Sequence, residues 1–196
     1  MPNWTANSLK LTAKSATSEA KLAELVREIS RSQEANDEPK FFNMIKPIPQ
    51  PLQIVAGWSG DKVEQTKREA AERLNEKIYG HKNWYDFCVH EWGTKWEPKL
   101  DENNKFELDG NVLIVYFDTA WSPPIPIYEA LEAMGFEVEA TYIECGMGFV
   151  GTYKNGQDIT EDFDQFVSLD GEEDYEAIDK FFETRGFDHS PANFGG

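Results

Sequence analysis

The chain has 196 residues, 40% hydrophobic and 13% aromatic, with 36 acidic against 19 basic side chains and a formal net charge of −17. That length corresponds to one domain, or one domain with a large insertion, and the apolar content excludes a globally disordered chain. No run approaches the roughly 18 to 20 apolar residues of a membrane helix, the opening Met1-Pro-Asn-Trp is no signal peptide, and two cysteines cannot form a disulfide framework; a soluble cytoplasmic protein is expected.

Residues 8–12 alternate, with Leu9 and Leu11 on one face, and predict a short strand. Thr17 or Ser18 caps a helix whose stripe of Leu22, Leu25, Val26 and Ile29 runs to about Arg31. Residues 32–40 are polar and unpatterned, which predicts a loop. Residues 41–51 are apolar but carry Pro47, Pro49 and Pro51, so an extended segment laid on the core is expected. Asp61 caps a second helix to about Tyr79, with Val63, Ala70, Ala71, Leu74 and Ile78 at helical spacing and Gly80 as its stop. A short third helix covers 83–91 and ends at Gly93, followed by a polar turn at 101–105.

The run 111–117 has no polar break from Val112 onward and predicts a central strand buried on both faces. Pro123 and Pro124 lead into a helix over 127–134, closed by Gly135. Residues 136–143 and 147–153 alternate as strands, with Asn155-Gly156 as a turn. A strand near 163–169 and a helix near 174–184 complete the pattern. With the insertion at about 33–99 set aside, this order is the split βαβ arrangement of a ferredoxin-like antiparallel sheet with helices on one face, an α+β fold. Residues 1–156 are assigned to that domain and 157–196 to an acidic C-terminal extension packed on it.

Several blocks carry a family resemblance: Asn83-Trp-Tyr-Asp, Trp92-Gly-Thr-Lys-Trp96, Phe117-Asp-Thr-Ala-Trp-Ser-Pro-Pro124, and Tyr142 to Glu144 with Gly146. With Asn3-Trp4, Asn7-Ser-Leu9 and Ile45-Lys-Pro-Ile-Pro49 they resemble the YubB-like proteins of phages and plasmids, over residues 3–153. The resemblance implies a ferredoxin-like domain and an origin on a mobile element, and implies no chemistry. The stretch beyond about residue 157 lies outside it.

Residues 101–196 hold 4 basic and 22 acidic side chains, so the charge excess belongs to this half. Such a surface repels nucleic acid and suits a basic groove on another protein. Glu161, Asp162, Asp164, Asp170, Glu172, Glu173, Asp174 and Glu176 are the contact candidates. The expected function is therefore that of a phage- or plasmid-encoded accessory protein. It binds a host protein with a basic, nucleic-acid-binding surface and so inhibits a host defence complex. Against this stands an acidic face that serves solubility alone.

The tryptophans offer a third reading. Trp84, Trp92, Trp96 and Trp121 are expected in the core, and the rival is a stacking pocket for a base or small nucleotide with Lys95 and Lys99 as phosphate partners. His81, Cys88 and His90, with Cys145 brought in by the fold, match no zinc spacing, and both cysteines are expected as buried small hydrophobes. Cys88 and His90 point apart on a helix and make no nucleophile–base pair. No metal, cofactor or enzymatic activity is expected.

Overall fold

The alternation at Leu9 and Leu11 continues in both directions, so β1 spans Trp4–Ala13. The structure, a computed structural model, describes residues 3–35, 40–98, 106–162, 166 and 174–191. After β1 comes α1 (Ala16–Ala35), then an insertion carrying α2 (Phe41–Ile45), α3 (Lys62–Tyr79) and α4 (Trp84–Phe87). A hairpin of β2 (Phe106–Asp109) and β3 (Val112–Ala120) leads through α5 (Ile125–Ala133) to β4 (Phe136–Glu144). A second hairpin, β5 (Phe149–Lys154) and β6 (Gln157–Asp162), precedes α6 (Tyr175–Thr184). The strands form one antiparallel sheet in the order β2-β3-β1-β4-β5-β6. β1 sits between the two strands joined by α5, which is the expected ferredoxin-like, split βαβ topology.

Period-two alternation sorts the strand side chains onto two faces. Leu9, Leu11, Leu113, Val115, Phe117, Val138 and Ala140 meet Leu22, Leu25 and Ile29 of α1 and Ile127 and Leu131 of α5 in the main core. On the opposite face, Ala6, Ile143 and Val150 pack against Phe166, Ile178, Phe181, Phe182 and Phe187. Helices therefore cover both faces rather than one, because the apolar stripe of α6 has a second patch of sheet to bury. The segment after α6 is pinned as well. Ser8 Oγ lies 2.8 Å from His189 Nδ1, and Thr141 Oγ1 donates to the His189 carbonyl. Lys10 Nζ bridges Asp188 at 2.7 Å and Glu139 at 3.6 Å.

Several local expectations are corrected. The cap of α1 is built by Ser15 with Ser18, and the helix runs four residues past Arg31, through part of the expected loop. Residues 41–45 are helical, not extended. The prolines begin only at Pro47, and the Glu97 carboxylate accepts from the N–H groups of Phe42 (2.7 Å) and Asn43 (2.8 Å) as a cap from a distant segment. β3 is fully buried on one face only, with Val112, Ile114 and Tyr116 of the other face half-buried. A strand that was not expected, Gln157–Asp162, pairs with β5 across the Asn155-Gly156 turn, and the strand expected at 163–169 falls outside the described residues except at Phe166. The polar turn at 101–105 also lies outside the described residues.

α3 starts at Asp61, whose side chain accepts from Val63 and Glu64, and stops at Gly80, as expected. Its orientation is not what its apolar stripe implies. Val63 (65%), Leu74 (57%) and Ile78 (60%) are exposed, and polar groups tether the helix instead. Asn75 donates to the carbonyls of Pro51 and Lys82, and Glu72 accepts from Arg68 and Asn83.

Gly151 faces Tyr142 across the β4–β5 ladder, and a Cβ there would come within 2.3 Å of the Tyr142 ring. That ring is held through its hydroxyl, which donates to Asp158 (2.6 Å) and lies 2.8 Å from Thr160 Oγ1, so it cannot step aside. Gly151→Ala is expected to cost about 1–3 kcal/mol in urea unfolding, the range for overpacking. Adding Tyr142→Leu should recover part of that loss; strictly additive losses would sink the steric account.

Candidate functional site

Two loops meet at the corner where β1 begins and β3 ends. The first follows α4, whose last turn widens into a π-turn over Cys88–Trp92. On an ordinary helix Trp92 shares a face with Tyr85 and Val89. Across this turn Cys88 and Trp92 are buried in the core, and Val89 is left outside. Gly93 then reverses the chain at φ 78°, with Pro126 so close that a Cβ would lie 2.8 Å from its Cδ. The second loop is the Ala-Trp-Ser-Pro-Pro stretch after β3. Trp121 sits at φ 71°, a left-handed conformation costing a non-glycine residue about 1–2 kcal/mol.

Hydrogen bonds hold both loops together. Ser122 Oγ donates to the Gly93 carbonyl (2.6 Å), Thr94 Oγ1 to the Ala120 carbonyl (3.0 Å), and Trp121 N–H to the Asn3 carbonyl (2.9 Å). Beneath them, Tyr128 donates to Asn7, Asn7 to Thr119, and Thr119 to the Ser122 carbonyl. Burial pushes the Tyr128 phenol well above its ordinary pKa, so this chain of donors stays intact at any ordinary pH. Behind Asn3, the buried Glu144 carboxylate accepts from the N–H groups of Gly146 and Met147.

This scaffold displays a run of aromatic rings. Trp96 lies 6.2 Å from Trp4 and 6.3 Å from Trp121, centroid to centroid, with the rings inclined by 33° and 29°. All three are 37–38% exposed, a large fraction for tryptophans set on so rigid a base. Lys95 Nζ stands 4.1 Å from the Trp96 centroid, 5.6 Å from Trp121 and 5.7 Å from Tyr85. The arrangement offers flat apolar faces beside a fixed cation, which suits a planar ring bearing negative charge.

The expected pocket is thus rearranged. Lys95, Trp96 and Trp121 come together. Trp92 belongs to the core, donating from Nε1 to the Lys46 carbonyl, and Trp84 packs half-buried against that core. Trp96 and Trp121 are not core residues, because the Gly93 reversal and the Trp121 conformation turn them outward. Lys99 lies outside the described residues. Trp4 and Tyr85 join the site without having been singled out for it; the only signal for Trp4 was its place in a block of the family resemblance.

Of the eight acidic candidates, Asp164, Asp170, Glu172 and Glu173 lie outside the described residues. Glu161 pairs with Arg185, Asp174 caps α6 by accepting from Ala177 N–H, and Asp162 and Glu176 are exposed. Cys88 is buried, which pushes its thiol up to about 12, whereas Cys145 is exposed in the β4–β5 turn, contrary to expectation.

Residues 75–188 match the family model described as the ferredoxin-like domain in Api92-like protein. The chain belongs to that family. A crystal structure of the protein Api92 from Yersinia pseudotuberculosis is similar at 13% identity, over 83% of this chain and 98% of that one, with a TM-score of 0.43. No curated protein matches. The Api92-like match covers α4, both loops and most of the sheet, so Tyr85, Lys95, Trp96 and Trp121 lie within it and Trp4 lies outside. Among the described residues no helix is long and apolar enough to cross a membrane.

Proposed function

We propose that this Api92-like chain is a non-enzymatic binding protein whose working surface is the corner formed by Trp4, Trp96, Trp121, Tyr85 and Lys95, and that it takes a single nucleobase with its phosphate. The observation that carries the reading is the run of three half-exposed tryptophans, two of them beneath Lys95, built on a strained and heavily hydrogen-bonded loop pair. Net charge sets the ligand's size. At −17 the molecule repels an extended polyanion, whereas a mononucleotide needs only Lys95 for its phosphate.

Calorimetry and tryptophan quenching with a panel of ribonucleoside monophosphates test this. Trp96→Ala and Trp121→Ala should each weaken binding about tenfold, as loss of one stacking partner does. No heat and no quenching with any nucleotide would remove the reading.

The charge distribution favours a second reading, in which the acidic half engages a basic, nucleic-acid-binding surface on a host protein and inhibits a defence complex. The net −18 of residues 101–196, with Asp162 and Glu176 exposed, supports it. The attribution to YubB-like proteins of phages and plasmids, and a place in the host cytoplasm, belong to this reading. Binding of such a partner should weaken with salt and with Asp162→Lys/Glu176→Lys; a partner held equally well by that variant would exclude it.

A further inference from the structure

We infer that His81, Asp86 and His90 form a binding site for a divalent transition metal of the zinc class. The three side chains belong to one corner of the insertion: His81 in the connection after α3, Asp86 on α4, His90 on the π-turn. One ligand atom from each lies within 4.8 Å of the other two. The Asp86 carboxylate stands between the rings, 3.9 Å from His81 Nδ1 and 3.4 Å from His90 Nδ1, and the two imidazoles are 5.7 Å apart.

Hydrogen bonding prepares both histidines as ligands. His81 Nε2 lies 3.0 Å from the Glu91 carboxylate, so it carries the proton and leaves Nδ1 with a lone pair on the Asp86 side. His90 Nδ1 lies 2.7 Å from the Asp86 carbonyl oxygen, which fixes the ring beside the Asp86 carboxylate. A carboxylate on the far nitrogen of a ligating imidazole, as Glu91 is on His81, is the support that metal-bound histidines require. Glu91 is itself fixed by Lys46 at 2.8 Å, Asp86 accepts from Lys82 N–H, and Phe87 stacks edge-on against His81. Two nitrogens and one oxygen suit zinc, cobalt or nickel and leave a coordination position for water. No zinc signature spans these residues in the sequence, because the third ligand is Asp86 and the nearby Cys88 turns into the core.

The test uses the full chain without a histidine tag. Cobalt titration followed by its visible absorption, with zinc competition and calorimetry, should show one equivalent bound per chain. His90→Ala, which alters an exposed side chain, should weaken binding at least about tenfold, and Glu91→Gln about tenfold through loss of support for His81. Zinc should raise the melting temperature of the wild type and not that of His90→Ala. Absence of cobalt and zinc binding, or equal binding by His90→Ala and the wild type, would overturn the site. Trp96→Ala should leave metal binding unchanged, so this result stands or falls separately from nucleotide binding.

Discussion

Phe182→Ala is expected to destabilise the protein by about 3–5 kcal/mol, the range for deleting a fully buried phenylalanine ring. Phe182 is 1% exposed and sits between Phe181, at 5.3 Å, and the sheet face made by Ala6, Ile143 and Val150. Among the described residues that patch has eight buried members, few enough that the space one ring leaves stays largely open. Because Ala6 and Ile143 belong to the central strands β1 and β4, the loss should move the whole unfolding transition rather than release α6 alone. Urea titration read by circular dichroism measures it. A loss below about 1 kcal/mol would show that α6 is a loosely attached appendage.

Acidification from neutral pH to about 4.5 should remove about 2–3 kcal/mol, before most carboxylates titrate, through His189 alone. Burial holds the His189 imidazole down at about 4, against an ordinary value of 6.5. Between these values the unfolded chain binds a proton that the folded chain refuses, so stability is complete above 6.5 and falls as pH drops toward 4. The groups facing the ring are Asp188, Glu139, Lys10 and Lys154, and the acids among them are engaged by the lysines. Nε2 of the ring is buried without a hydrogen-bond partner among the described residues, which leaves a proton there unsupported. His189→Gln should flatten the stability profile between pH 6.5 and 4.5. An equally steep profile in that variant would assign the acid sensitivity to other groups.

Much of the fold could be read locally. The cap at Asp61, the stop at Gly80 and the turn at Asn155-Gly156 are decided by residues within a few positions of the backbone groups they serve. The functional corner was legible in part. The density of tryptophan around Lys95 marked it, but the same density describes a core, and hydrophobicity cannot tell a ring that is buried from one that is displayed.

Alternation, helix spacing, capping residues and net charge thus settle element type, order and the balance of charge, because each acts over a few residues or over the chain as a whole. Contacts between remote segments settle the rest. Glu97 makes a helix of Phe41–Ile45 from more than fifty residues away. Asn75, Glu72 and Asn83 turn the apolar stripe of α3 outward, against its own periodicity. Trp4, Trp96 and Trp121 become neighbours only when β1 pairs with β3 and Gly93 packs on Pro126. Each of these outcomes depends on which surfaces meet, and no local pattern of residues encodes that.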